Sequence, residues 1–369
     1  MSIQMVDLKG QYLKINDEIN EAIQTVLDST IFINGPQVKS FAANLQSYLN
    51  VKHVIPCANG TDALQVAFMA LDLRPGDEVI VPCFTYVATA EVIALLGLKP
   101  VLVDVDPNTF QIDIAAFEAA ITDKTKAVVP VHLFGQCADM ESILPIAKKH
   151  SIFVVEDTAQ AIGAKYTFDN GQAHSAGCMG DFGTTSFFPS KNLGCYGDGG
   201  AIFTNNDDLA SKARMICNHG QKKKYHHSVV GVNSRLDTIQ AAILDVKLKY
   251  LDTYSAARQQ VAARYDEAFG NHEAFEIPQR DPKSSHVFHQ YTLKINGLDR
   301  DALKEHLANN GVPSMVYYPV PLNEQEAYKG VGKFPVTYDL CSRVLSLPMS
   351  TELTENQIHT IIETTLKFR

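Results

Sequence analysis

Between Lys52 and Asn205 short apolar runs alternate with helical patterns, and this alternation limits the chain more than any other feature. Seven runs read as strands: HVIPCA, DEVIVP, KPVLVDV, KAVVPVH, IFVVE, TTSFFP and GGAIFT. TDALQVAFMALDL, TAEVIALLG, IAAFEAAIT and MESILPIAKKH lie between several of them, with apolar residues at helical spacing. Strands that are apolar on both faces need cover on both faces. The expected fold is therefore α/β, with a mostly parallel seven-stranded sheet under helices. In open sheets of this kind, ligands bind beyond the carboxyl ends of the strands.

After Gly231 the pattern changes. One long helical pattern runs from about Leu236 through Phe269, then HVFHQYTLKI and PSMVYYP read as strands and RDALKEHLANNG as a helix. The expected division is a large domain with an N-terminal arm over residues 1–235 and a smaller α+β domain over 236–369. The arm, Met1 to about Thr30, is expected to pack on the small domain or on a partner subunit.

A chain of 369 residues can bury a large core and a second, smaller one. Its net charge of -9 argues against a general nucleic-acid binder, although local lysines and arginines can still line a pocket for a small anion. Seven scattered cysteines without a C-x-x-C pair suggest neither a zinc site nor a disulfide framework. His226-His227 has no further ligand at useful spacing, so no metal is expected. The start, MSIQMVDLKGQYLKIND, lacks the apolar stretch of a signal peptide, and Val92 to Leu96 is too short to cross a bilayer. The expected location is cytoplasmic, with no membrane association.

Several residues carry chemistry. Strand IFVVE ends in Glu156-Asp157, and side chains alternate along a strand, so only one of the two acids can serve a given site. Asp157 can hold a heteroaromatic ring nitrogen protonated, or simply cap the segment that follows. Lys191 sits on a Ser/Asn/Gly-rich loop after an aromatic strand; near an electron sink it can form a Schiff base, and otherwise it is a solvated charge. Ser186 can donate its hydroxyl to a phosphate. In Asn59-Gly60-Thr61 a strand gives way to a helix whose free N–H groups suit a phosphate, or which is merely capped there. Tyr86 can stack on a ring or sit in the core. Arg235 suits bidentate recognition of a carboxylate, and Asn233 lies two residues before it. Tyr317 and Tyr318 can close over a ligand, and Lys222-Lys223-Lys224 can meet a diphosphate or face solvent. His132 reads as a satisfied hydrogen-bonding residue rather than a base.

The order of NGTDAL, PCFTYVAT, VEDTAQ, SFFPSKNLG, GDGGAIFTN and NSRLDTIQAAIL along one chain resembles the DegT/DnrJ/EryC1/StrS sugar aminotransferases, fold-type I (aspartate aminotransferase-like) enzymes dependent on pyridoxal 5'-phosphate (PLP). The resemblance runs from VDLKGQY to about Pro348. It implies that Lys191 binds the cofactor covalently and carries the proton, that Asp157 faces the pyridine nitrogen and that Gln160 lies near the ring. It also implies that Gly60, Thr61 and Ser186 hold the phosphate, that Tyr86 stacks on the ring, and that Asn233 reaches the phosphate of the neighbouring subunit in a homodimer with shared active sites.

The stretches CANGTDALQ, HGQKKKYHH and GVNSRLDTIQAAIL further resemble enzymes that aminate C3 of UDP-2-acetamido-2-deoxy-3-oxo-D-glucuronate for surface polysaccharide such as the O-antigen of lipopolysaccharide. The implied reaction takes the amino group from L-glutamate. Tyr317 departs from the histidine expected before the Tyr-Pro pair, which puts the sugar contacts in doubt. Alternatives are a dTDP-linked 3-oxo-6-deoxyhexose or a 4-oxo sugar as acceptor, a PLP-dependent dehydratase, and a non-catalytic regulatory protein. Lys191 counts against the dehydratase, whose relatives carry histidine there.

Overall fold

A computed structural model of the chain describes residues 2–330 and 332–369. All seven expected runs form strands of one sheet: β1 (His53–Cys57), β2 (Glu78–Pro82), β3 (Lys99–Val103), β4 (Thr125–Val128), β5 (Phe153–Asp157), β6 (Phe182–Ser186) and β7 (Gly200–Thr204). Their spatial order is β1-β7-β6-β5-β4-β2-β3. The pairs from β3 to β6 are parallel, and only β7 runs against its neighbours. Side-chain alternation builds two cores from the same strands. Val79, Val81 and Val155 pack with Val66, Phe68 and Ile93 on one face. Ile80, Val128 and Val154 pack with Phe117, Met140 and Ile143 on the other. Each such side chain fully removed from water contributes about 1.5–3 kcal/mol, so the doubly covered sheet is the main apolar store of the fold.

The helices that matter for the site have clear local causes. Helix α1 (Pro36–Leu49) starts with proline in its first turn and ends at Asn50 in the left-handed conformation. Helix α2 (Gly60–Ala70) is capped by the side chain of Asn59, which accepts the Asp62 N–H at 2.8 Å. Helix α3 (Ala88–Leu95) follows β2.

The expected single helix from Leu236 through Phe269 is two: α4 (Thr238–Leu248) and α5 (Leu251–Phe269). They are joined at Lys249 and Tyr250, the latter at φ -102° and ψ -2°. Ala241, Leu244, Leu248 and Leu251 pack with Phe41, Leu45 and Phe187 of the large layer, while Val261, Tyr265 and Phe269 belong to the second core. A straight helix cannot aim one stripe at both cores, and the break resolves the conflict.

The second core covers a three-stranded antiparallel sheet of β8 (Phe275–Glu276), β9 (Tyr291–Ile295) and β10 (Val344–Leu347). Helices α6 (Arg300–Asn309) and α7 (Glu355–Lys367) complete it, the latter opened by a capping box between Thr354 and Gln357. PSMVYYP is not the expected strand. Only Met315 pairs, as an isolated bridge to Ser346. Prolines at 313 and 319 bound the segment and remove ladder donors, and its second tyrosine turns toward the large sheet instead. The N-terminal arm packs on the small domain: the Met349 N–H donates to the Met5 carbonyl at 3.0 Å, and the Asp7 N–H to Ser350 Oγ at 3.0 Å. Among the described residues no helix is long and apolar enough to cross a membrane, and no His/Cys/Asp/Glu group could hold a metal ion.

At the centre of the sheet the Glu156 carboxylate is fully buried. It accepts the N–H groups of Gly177, Met179 and Gly180 at 2.9, 2.7 and 2.7 Å and faces His132 Nε2 at 2.8 Å. Glu156→Leu strands three buried donors and a histidine. It is expected to lower unfolding stability by about 3–5 kcal/mol in urea titration, with Glu156→Gln losing less because its amide oxygen still accepts.

Candidate functional site

The carboxyl ends of β5 and β6 and the start of α2, which follows β1, come together at one end of the sheet. Asp157 is the last residue of β5 and 8% exposed. Its Oδ2 accepts the Thr89 hydroxyl at 3.0 Å, and its Oδ1 accepts the Ala159 N–H at 3.0 Å. Both oxygens are thus held in place by donors. Thr89 belongs to α3, far off in sequence, and was not singled out by the sequence reading; an alanine- and threonine-rich helix start gives no local signal of such a role.

Lys191 lies in the loop after β6, its backbone N–H closing a turn onto the Phe188 carbonyl at 2.8 Å. Burial lowers its amine from the ordinary lysine value to about 8, and the nearby Asp157 carboxylate opposes the shift. A lysine in this state supplies a usable fraction of free amine near neutral pH. Its partner in the pocket is a carboxylate that can neutralise a second positive centre.

Beside them, Gly60 opens α2 against Ser186, the end of β6. A Cβ at Gly60 would lie 2.7 Å from the Ser186 Cβ, so only glycine lets the helix N-terminus come this close. Thr61 follows in the first turn, and the Ser186 hydroxyl accepts the Phe188 N–H at 3.2 Å. Unsatisfied N–H groups, a positive helix end and two hydroxyls make an anion cradle.

Gln160 bridges the two layers. Its Oε1 accepts the Phe134 N–H at 2.8 Å, and its Nε2 donates to the Tyr318 hydroxyl at 3.0 Å. The Tyr318 ring lies 5.9 Å from Phe84 and 6.3 Å from Tyr86, while Tyr317 is half-buried beside it. Tyr86 is 59% exposed, which removes the core reading and leaves its ring at the surface beside Tyr318. His132 is satisfied on both nitrogens, Nδ1 accepting the Ala138 N–H at 3.0 Å and Nε2 facing Glu156.

Two of the expected site residues stand apart within the protomer. Asn233 is exposed and pairs only through its backbone, in a bridge with Asn218. Arg235 lines a separate depression of about 440 Å³ with Lys39, Gln46, Pro56 and Arg214. Among the described residues no hydrogen bond or ion pair joins either side chain to the Lys191 group. Lys222 and Lys223 lie on an exposed two-stranded hairpin with His226 and His227, and Lys224 is at its turn, over the Tyr225 ring.

The pocket fits pyridoxal phosphate: an anion cradle, a lysine with a lowered amine, a carboxylate held by two donors and an exposed aromatic ring lie around one space. Comparison with known proteins agrees with this chemistry. The chain is 49% identical to a UDP-2-acetamido-2-deoxy-3-oxo-D-glucuronate aminotransferase of Pseudomonas aeruginosa, over 94% of this chain and 95% of the relative. It is 47% identical to a pleiotropic regulatory protein of Geobacillus stearothermophilus, over 100% and 99%. It is 45% identical to a UDP-N-acetyl-3-dehydro-alpha-D-glucosamine 3-aminotransferase of Acidithiobacillus ferrooxidans, over 99% and 98%. A crystal structure of a DegT DnrJ EryC1 StrS aminotransferase from Brucella abortus superposes with a TM-score of 0.93 at 42% identity, covering 99% of this chain and 98% of that one. The description of the DegT/DnrJ/EryC1/StrS aminotransferase family matches residues 13–366, and the chain belongs to that family.

Proposed function

We propose that this protein is a PLP-dependent aminotransferase that moves an amino group from L-glutamate to C3 of UDP-2-acetamido-2-deoxy-3-oxo-D-glucuronate, in surface polysaccharide biosynthesis. The observation that carries the reading is Lys191, whose amine is lowered by burial beside the Asp157 carboxylate at the strand ends. Bound PLP supplies a carbonyl that captures amines and a ring that accepts the electron pair left by a departing proton. The chain's residues do the rest. Lys191 Nζ would hold the cofactor and, once freed by the incoming amine, would take the proton from the α-carbon of glutamate and carry it during the transfer. Asp157, held in place by the Thr89 hydroxyl and the Ala159 N–H, would face the ring nitrogen of the bound cofactor and hold its proton. Gly60, Thr61 and Ser186 bind the phosphate, Gln160 and Tyr86 orient the ring, and Tyr317 and Tyr318 border the substrate space. After water has released 2-oxoglutarate, Lys191 would move the proton in the reverse sense, the sugar's keto oxygen would leave as water, and the product would depart as the 3-amino sugar. The similarity to a uronate aminotransferase supports the acidic sugar, and Arg235 is the cation available for its carboxylate.

Assembly enters through the same residues. Asn233 and Arg235 lie outside the protomer's own pocket, and Ile31, Phe32, Ile33, Phe188, Tyr225 and Val230 are exposed apolar side chains. These observations support a homodimer in which Asn233 completes the phosphate site of the partner. Lys191→Ala and Asn233→Ala proteins, each inactive alone, are then expected to regain about a quarter of parental activity after mixed refolding. Half of the dimers are mixed, and one of their two sites carries both native residues. No recovery above the single variants sinks the shared site.

The pH dependence follows from the amine. Below about pH 8 the protonated form of Lys191, which cannot attack a carbonyl, increasingly predominates. Cofactor capture by the apoprotein is therefore expected to rise about tenfold per pH unit and level off above pH 8, read by absorbance in stopped flow. Asp157→Asn removes the one cause that raises this amine, so its plateau is expected at lower pH.

For the substrate, the PLP-loaded enzyme is treated with L-glutamate and its visible absorbance is followed. Glutamate is expected to bleach the band of the lysine-bound cofactor, and UDP-2-acetamido-3-oxo-glucuronate to restore it, with little recovery from a neutral 3-oxo-6-deoxyhexose. Bleaching without restoration retains the transaminase and removes this sugar; no bleaching supports the regulatory alternative.

A further inference from the structure

A second lysine, outside the pocket, bears on the first. Lys247 is on α4 and only 1% exposed. Its Nζ donates to the Gly194 carbonyl at 2.5 Å and lies 5.3 Å from the centre of the Tyr196 ring. Among the described residues no carboxylate pairs with it; the neighbouring charged or titratable groups are the Cys195 thiol and the guanidinium of Arg258, itself buried. Burial brings the Lys247 amine down to about 8. An ammonium taken out of water without a counter-charge is costly, and a methionine of the same length would fill the space at less cost.

What the ammonium grips explains its place. Gly194 is three residues beyond Lys191, and the loop folds back so tightly that a Cβ on Gly194 would lie 2.3 Å from the Pro189 carbonyl oxygen and 2.8 Å from that of Phe188. The Phe188 carbonyl is the one that accepts the Lys191 N–H. The next residue, Cys195, returns its N–H to the Phe187 carbonyl at 2.8 Å. A second side chain of α4, Gln240, holds the Tyr196 N–H at 2.8 Å. The turn that carries Lys191 is therefore closed on itself and fastened to α4 at Gly194 and Tyr196.

We infer that Lys247 is a positioning residue for this reaction: its buried ammonium, bound to the Gly194 carbonyl, fixes the loop that presents Lys191 to the cofactor and substrate. The inference deepens the reading of Lys191 as the reactive amine and rests on it for its effect on turnover. A lysine side chain has four rotatable bonds but can be aimed only as well as its backbone is held, and a displacement of about 1 Å at a reacting group can cost about a hundredfold in rate. Charge suits the clamp, because a hydrogen bond from an ammonium to a carbonyl in a dry interior is stronger than one from a neutral amide.

The test uses the full-length protein, with Lys247→Met removing the donor and Lys247→Arg restoring one. Hydrogen–deuterium exchange of the apoprotein is read over residues 187–196 and over the rest of the chain, together with Tm and the steady-state constants of the PLP-loaded enzyme. Lys247→Met is expected to exchange about tenfold faster in residues 187–196 alone, with Tm unchanged or raised. Its kcat is expected to fall about tenfold while KM for glutamate changes less than about twofold. Lys247→Arg is expected to recover most of both losses. If the methionine protein does not accumulate folded, Lys247→Gln, whose amide falls short of Gly194, is read in the same way. Unchanged exchange in residues 187–196, or faster exchange spread evenly over the chain with a lowered Tm, overturns the inference. Lys191→Ala keeps the two readings apart: it is expected to abolish turnover and leave exchange at the parental level. Turnover by that variant removes Lys191 as the reactive amine and leaves the exchange result for Lys247 standing.

Discussion

The two carboxylates at the end of β5 divide the work of the molecule. Successive side chains on a strand point to opposite faces, so Glu156 and Asp157 cannot share an environment. Glu156 points into the sheet's cover, where three backbone N–H groups and His132 consume its lone pairs. That arrangement pins the loop over residues 177–180 and the segment after β4 to the middle strand. The backbone bonds from His132 N–H to the Asp157 carbonyl and from Asp157 N–H to the Pro130 carbonyl finish the anchoring. Asp157, one residue on, is left on the opposite side as a carboxylate whose position is set by its neighbour's burial. Had the register slipped by one residue, the two acids would have exchanged places, with the catalytic candidate buried under the sheet.

Much of this was legible in the sequence because it depends on local order. Seven apolar runs, their intervening helical patterns, and the glycine and asparagine at the opening of α2 are signals spanning a few residues each. The neighbourhood of Asp157 and Lys191 followed from their both lying at carboxyl ends of strands. What escaped the reading depends on packing between distant segments. The division at Lys249 and Tyr250 arises because α4 and α5 face different cores, although their residues continue one helical pattern. PSMVYYP has strand-like composition, yet the bond between Gln160 and Tyr318 and the prolines at its ends draw it away from the sheet after one bridge. Thr89 and Lys247 look like ordinary helix residues until the fold brings Asp157 to one and Gly194 to the other.

Several buried polar groups lie at the joint between the layers. Arg258 of α5 donates to the Phe288 and His289 carbonyls, and Asn192, next to Lys191, donates to that of Val287. Burial, with Lys191 and Arg258 nearby, holds His289 well below the usual imidazole range, so it stays neutral there. A guanidinium and an amide placed against carbonyls rather than carboxylates keep the joint polar without adding negative charge beside Asp157. Asp157 therefore stays the carboxylate that Lys191 feels, and its pull on that amine is not diluted by competing acids.

The same economy explains why the protomer's site looks unfinished on its open side. The anion cradle draws its donors from the start of α2, Thr61 and Ser186, and among the described residues no arginine side chain is hydrogen-bonded to them. Such a cradle binds a dianionic phosphate through N–H groups and a helix end, a weaker hold than a cradle with its own guanidinium would give. An exposed Asn233, a half-buried Arg235 and the exposed 221–227 hairpin offer polar and cationic groups on the surface of the same chain, which also carries exposed apolar side chains. Bringing a second copy against the pocket would cover the apolar groups and supply the missing donors in one step. If a second copy sits there, burial of Ile31, Phe32 and Tyr225 would be coupled to completion of the site, and an isolated protomer would keep its lysine and carboxylate in place while lacking those donors.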